Sequence, residues 1–166
     1  MVDGFDPLSA EQICSWTLDL IEAEQLVIDD GRYNVDLKPQ NVLVGKNKRL
    51  ILTDLDFLKP IDFSGSLPGT PNYMPPESFL RGQYDEASAV YQVGIIFYGL
   101  MRGNTRDGRH RRIYDEDFFS PDQHFLEEEF PFWADAVTEA TRLHPDDRCQ
   151  TLAQFKEAVQ IGYESR

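Results

Sequence analysis

Apolar positions recur along this chain in two alternating rhythms. Ile13, Trp16, Leu20, Ala23 and Val27 fall at three- and four-residue steps, which predicts a helix with one buried stripe. Ser9 is placed as its N-cap, with Gln12 completing a capping box and Leu8 and Ile13 at the staple positions. Asp29-Asp30-Gly31 ends it, Gly31 supplying the left-handed cap. The rhythm then shortens. Val42-Leu43-Val44 and Leu50-Ile51-Leu52-Thr53 are two apolar runs around a Gly45-Lys46-Asn47-Lys48 turn, a hairpin. Residues Phe57 to Pro68 have no clear period and read as an exposed loop. Asp85 to Met101 predicts a helix whose second half, Val93 to Met101, is apolar all round and so buried on every side. Phe130 to Leu143 predicts another, with Trp133, Val137 and Ala140 on one face, and Glu127-Glu128-Glu129 as a solvated turn before it. Thr151 and Gln154 form a second capping box, opening a last helix that buries Leu152, Phe155 and Val159. The expected fold is mainly α, a helical bundle with one short β-hairpin.

Composition narrows the function. With 166 residues and 41% hydrophobic positions the chain holds one domain with a real core. A net charge of -13 argues against nucleic acid or an anionic membrane surface as partner, because phosphates are repelled. Cys14 and Cys149 suit free thiols in a reducing, cytoplasmic setting, and a single disulfide stays open. The first residues do not read as a leader of signal-peptide type, so none is expected, and the longest apolar run, Val93 to Met101, is too short to span a bilayer.

The hairpin matters because it brings its outer ends together, so that Asp36, Asn41 and Asp54 can converge with Lys38 nearby. Two carboxylates and an amide oxygen make a hard-oxygen site suited to Mg²⁺ and phosphate. Arg102, Arg106, Arg109, Arg111 and Arg112, with His110, form one basic island. It reads either as a solvated loop balancing Asp115, Glu116 and Asp117 or as a contact for an acidic peptide or phosphate. Ser64 and Ser66 are loop serines open to phosphorylation.

Asp36-Leu37-Lys38-Pro39-Gln40-Asn41 resembles the catalytic loop of eukaryotic-type protein kinases, and Asp54-Leu55-Asp56 falls where that family has its Asp-Phe-Gly metal triplet. Gly69-Thr70-Pro71-Asn72-Tyr73-Met74-Pro75-Pro76-Glu77 resembles the end of the activation segment, and Pro145-Asp146-Asp147-Arg148 its Pro-x-x-Arg turn. The resemblance runs from Ser9 to Val159 and covers only the larger, C-terminal lobe. It implies a lead-in over residues 1–8, the lobe over 9–160 and a tail over 161–166. It further implies Asp36 as acceptor of the hydroxyl proton and Lys38 as contact to the transferred phosphoryl group. Asn41 and Asp54 would be ligands of the Mg²⁺ of Mg-ATP, Thr70 the brace of Asp36, and Glu77 and Arg148 a buried ion pair. Lys38 resembles the serine/threonine branch.

Departures from the family pattern are specific. Asn34 and Val35 stand for the His-Arg before the catalytic Asp, which removes the usual docking point for an activation-loop phosphate. Asp56 stands for the Gly of the triplet, without glycine's backbone freedom. Ala89 stands for the helix Asp that braces the loop. No Gly-x-Gly-x-x-Gly is found, and Lys38 is the first lysine, so nothing here supplies an N-terminal lobe. Without the nucleotide cradle, rates fall by several powers of ten, since positioning supplies about 7–11 kcal/mol. Two functions follow: a serine/threonine kinase lobe completed by a separate N-terminal lobe and acting on a protein substrate, or an inactive pseudokinase module that binds a kinase or its substrate.

Overall fold

The computed structural model describes residues 8–103 and 119–166. Among these the chain is mainly helical, with two small antiparallel sheets. Helix α1 spans Ala10–Asp29; the Ser9 hydroxyl accepts from the Gln12 amide, and Gly31 closes the end at a φ of 78°. Its buried face is wider than one stripe, taking in Cys14, Thr17, Asp19, Ile21 and Glu24 beside Ile13 and Leu20.

Strands β2 (Val42–Val44) and β3 (Leu50–Leu52) form the expected hairpin, Val42 opposite Leu52. Helix α1 fixes its turn. The Trp16 indole donates to the Lys48 carbonyl at 2.7 Å, the Leu50 amide donates to Asp19 at 2.8 Å, and Arg49 pairs with Asp19. The second sheet is a departure from the expected loop over 57–68. There β4 (Leu58–Pro60) pairs with β1 (Arg32–Asn34), so the residues leading into the Asp36 loop are held by those following Asp54-Leu55-Asp56. Three-residue strands are too short to show alternation, and Pro60 sits at the strand end, where proline is tolerated.

Helix α2 spans Pro76–Arg81 and α3 spans Glu86–Arg102, capped by an Asp85–Ser88 box. Every α3 residue from Ala87 to Met101 is buried, as its all-round apolarity requires. Around it pack α1, α5 (Ala134–Ala140) and α6 (Leu152–Glu164), meeting at Phe97, Trp133 and Phe155. Two expectations need correction. Glu127, Glu128 and Glu129 are exposed, but they lie in helix α4 (Gln123–Glu129), started by the Asp122 cap, rather than in a turn. The helix expected over Phe130 to Leu143 opens instead as a 3₁₀ turn at Pro131–Trp133, with Pro131 at the first position where no donor is needed, and continues as α5 only to Ala140. Helix α6 also runs past residue 160: Gly162 is buried and Tyr163 stacks on Trp133. At its start the Thr151 hydroxyl caps the Gln154 amide, while the Gln154 side chain accepts from Gln150 rather than from Thr151. Cys14 and Cys149 are free thiols. No helix among the described residues is long and apolar enough to cross a membrane.

One ion pair joins the α2 and α6 ends of the molecule. Arg148 meets Glu77 through two parallel bonds of 2.7 and 2.8 Å, with the arginine side chain fully buried. Its remaining donors reach the Arg142, Leu143 and Ala87 carbonyls, its plane lies over the Tyr91 ring, and Ser88 donates to Glu77 at 2.6 Å. Such a saturated pair resists loss of either member, because the survivor is left buried and charged. Arg148→Ala is expected to lower unfolding stability by about 3–5 kcal/mol in a denaturant titration. Lys156→Ala, which breaks the exposed 3.6 Å contact with Glu22, changes it by less than about 1 kcal/mol.

Candidate active site

The loop from Asn34 to Leu37 passes between α1 and α3 with all four residues at most 5% exposed. Burying a carboxylate demands partners. Asp36 has two: the Thr70 hydroxyl donates to Oδ1 at 2.7 Å, and the Lys38 ammonium donates to Oδ2 at 2.6 Å. Lys38 also donates to Thr70 Oγ1 at 2.9 Å, closing a triangle. The segment carrying Thr70 packs closely on the loop: a Cβ at Gly69 would lie 3.3 Å from the Val35 carbonyl and 2.5 Å from Met74 Cε, the flexible end of its side chain.

Asn41 is buried at the head of the hairpin. Its Nδ2 donates to the Asp36 carbonyl at 3.0 Å, and its own carbonyl accepts from the Thr53 amide at 2.8 Å. That leaves Oδ1 without a hydrogen bond among the described residues. Asp54, one residue beyond Thr53, is exposed and left-handed at a φ of 57°, a conformation that Asp tolerates better than most residues. Asp36, Lys38, Thr70 and Asn41 are thus bonded together. Asp54 shares their end of the hairpin without bonding to them, and Glu77 and Arg148 form their own centre elsewhere.

An Asn amide oxygen and one free carboxylate match the donor set of Mg²⁺, which takes few protein ligands and completes its shell with phosphate oxygens and water. Among the described residues no group of three or more His, Cys, Asp and Glu is gathered as a metal site, so the phosphates would be needed to complete it. Of the basic island, Arg102 pairs with Asp122 at 3.8 Å and covers the Phe125 ring. Arg106, Arg109, His110, Arg111 and Arg112 lie outside the described residues, as do Asp115, Glu116 and Asp117.

Beneath Asp36 lies a polar group that the sequence pattern did not reveal. Asn34 Nδ2 donates to the buried Glu24 at 2.8 Å, and the Asp36 amide points to Asn34 Oδ1 at 3.4 Å. Tyr84 and Gln92 approach from the other side, with the Tyr84 hydroxyl 2.6 Å from Gln92 Oε1. Two signals point to it. Glu24 falls four residues after Leu20, on the apolar side of its helix, and Gln92 interrupts an otherwise apolar run. Burial pushes the Glu24 carboxyl up to about 8, against a smaller downward pull from the Asn34 bond.

The linkage sign follows. Between an unfolded value near 4.5 and a folded value of about 8, the folded chain holds a proton that the unfolded chain has released. This group's contribution is therefore largest at acid pH and is lost as pH rises through that window. Glu24→Gln keeps an acceptor for Asn34 and removes the titration. Denaturant titrations at pH 5 and pH 8 should show the variant gaining on the wild type by a few kcal/mol, since each tenfold change in proton affinity is worth about 1.4 kcal/mol. Parallel pH profiles would refute the assignment.

Comparison with known proteins identifies the family. The family model described as protein kinase domain matches residues 5–150. The chain is 39% identical over 100 residues to proteins named dual serine/threonine and tyrosine protein kinase from Takifugu rubripes and Danio rerio, and 38% identical to that of Homo sapiens. In each case the match covers 60% of this chain and 11% of the relative, so the chain matches about a tenth of the length of these proteins. The chain belongs to the protein kinase domain family.

Proposed function

We propose that this chain is the larger, helical lobe of a protein kinase that transfers a phosphoryl group from Mg-ATP to a serine or threonine hydroxyl of a protein substrate. The observation that carries the reading is the triangle of Asp36, Lys38 and Thr70 beside an Asn41 whose side-chain oxygen accepts no hydrogen bond among the described residues. In this reading Asp36 accepts the proton of the attacking hydroxyl, and Thr70 keeps its carboxylate oriented for that task. Lys38, already beside Asp36, turns its ammonium to the transferred phosphoryl group. Asn41 and Asp54 would hold Mg²⁺, which supplies neutralisation of phosphate charge when bound. Relatives bear a name that includes tyrosine as well as serine/threonine, so the hydroxyl class accepted is part of what a substrate assay decides.

An exposed apolar surface supports completion by a further lobe. Leu43 and Val44 are each 56% exposed and Ile51 is 51% exposed on the hairpin, and Leu55 and Phe57 beyond it are also open. An N-terminal lobe carrying the nucleotide cradle fits there. The second reading, a kinase-shaped module that binds a partner without catalysis, is favoured by Asn34, Val35 and Asp56 standing where the family keeps His, Arg and Gly.

Calorimetric titration of the purified chain with ATP, with and without Mg²⁺, tests the site. We expect Mg²⁺-dependent binding with a Kd of about 0.1–1 mM, equivalent to about 4–5.5 kcal/mol, and its loss in Asp54→Asn. Partner binding with no nucleotide binding would favour the module instead. In protein completed by its N-terminal lobe, Asp36→Asn is expected to cut phosphoryl transfer by about 10²–10⁴-fold, measured with labelled ATP. Unchanged transfer would remove Asp36 from the reaction.

A further inference from the structure

We infer that Tyr84 and Gln92, with the Glu24–Asn34 pair, are positioning residues that hold the Asp36 loop in place of the helix carboxylate missing at Ala89. The inference rests on the proposed function for the role of Asp36 and on geometry alone for the brace.

A loop buried to this extent must satisfy its backbone groups internally. The Tyr84 hydroxyl lies 3.0 Å from the Asn34 carbonyl and 2.6 Å from Gln92 Oε1, sharing one proton between two acceptors. Gln92 Nε2 donates to the Val35 carbonyl at 3.4 Å. From the opposite face Glu24 fixes the Asn34 amide, whose oxygen faces the Asp36 N–H. The Asn34 and Val35 carbonyls are held by side chains from the turn before α3 and from α3, and the Asp36 N–H faces the Asn34 side chain that Glu24 of α1 fixes. Tyr33 adds its ring against Tyr84 at 5.2 Å between centroids.

Ala89 cannot make any such bond, yet the loop is not left unsupported. Gln92 lies three residues along α3 from Ala89, on the same side of the helix, and its amide can both donate and accept where a carboxylate only accepts. Having a neutral amide, a phenol and an asparagine instead of an ion pair also explains why Glu24 can sit there. Its carboxyl needs no cation when it holds its proton. The brace is thus a set of hydrogen bonds between largely neutral groups, and its removal should loosen the loop without dismantling the helical core.

Hydrogen exchange of the chain by NMR separates this from general destabilisation. In Tyr84→Phe and Gln92→Leu, the amides of residues 34–38, Asp36 above all, are expected to exchange about three- to tenfold faster. Amides of α5 and α6 should keep their rates, apart from any uniform change that also appears in Tyr98→Phe. Tyr98 is a fitting control because its hydroxyl accepts from Asp122, far from the loop. Glu24→Gln should keep the loop protection and Glu24→Leu should lose it. Loop protection unchanged in both Tyr84→Phe and Gln92→Leu would overturn the proposal, as would acceleration spread evenly over all helices. Phosphoryl transfer by the completed protein is read separately. A lower kcat at constant KM in Tyr84→Phe supports action through Asp36. Selective loosening in a protein that transfers nothing even as wild type leaves the brace standing and sinks the catalytic reading.

Discussion

The constraint on which the rest depends is that a polar stretch, Asn34 to Leu37, runs through the interior between two helices. Leu37 is at home there, fully buried. Asp36 and Asn34 are not, and a charged or amide group away from water costs several kcal/mol unless it is bonded. The surrounding structure answers that demand group by group: Thr70 and Lys38 on the carboxylate, Asn41 on the Asp36 carbonyl, Tyr84 and Gln92 on the two carbonyls before it. The partners of the Asp36 carboxylate, Lys38 and Thr70, are themselves partly open to solvent. Lys38 keeps 22% of its side chain exposed while Asp36 keeps 6%.

The segment that carries Thr70 to Asp36 leads into the helix held by the Glu77–Arg148 pair. Glu77 lies in the first turn of α2, seven residues after Thr70, and Arg148 ties it to the α5–α6 corner. Tyr73 and Met74 between them are buried, with their amides bonded to the Thr70 carbonyl. A hydrophobic pair of equal volume could match the stability of this ion pair, but would lack its two parallel, directional bonds.

Much of this is legible in the residues. Caps at Ser9, Asp122 and Thr151 are local, made within three residues, and those at Ser9 and Thr151 can be read directly from the chain. The hairpin announces itself through β-branched and leucine runs around a glycine turn. The pairings of Asp36 with Thr70 and of Glu77 with Arg148 span 34 and 71 residues, and only the resemblance to a known family makes them visible. The β1–β4 sheet escapes because three residues carry no period. The support beneath the loop escapes for a different reason. Ala89 correctly signals that one carboxylate is missing, but hydrogen bonds from Tyr84, Gln92 and Asn34 leave no spacing rule in a sequence, and a glutamate in a surface-type helix reads as solvated. Its place on the Leu20 side is the one clue.

The proposed function is tested most directly by asking whether Asn41 and Asp54 hold one metal ion together at the end of the hairpin. Crystals of the chain grown with ATP and Mn²⁺ in place of Mg²⁺ would answer this through the anomalous signal of the metal. The expected result is a Mn²⁺ peak within about 2.0–2.4 Å of both Asn41 Oδ1 and an Asp54 carboxylate oxygen, close to the Mg²⁺ and Ca²⁺ ranges, with the phosphates completing its shell. Nucleotide bound elsewhere, or Mn²⁺ on other carboxylates with Asn41 Oδ1 still unengaged, would contradict it.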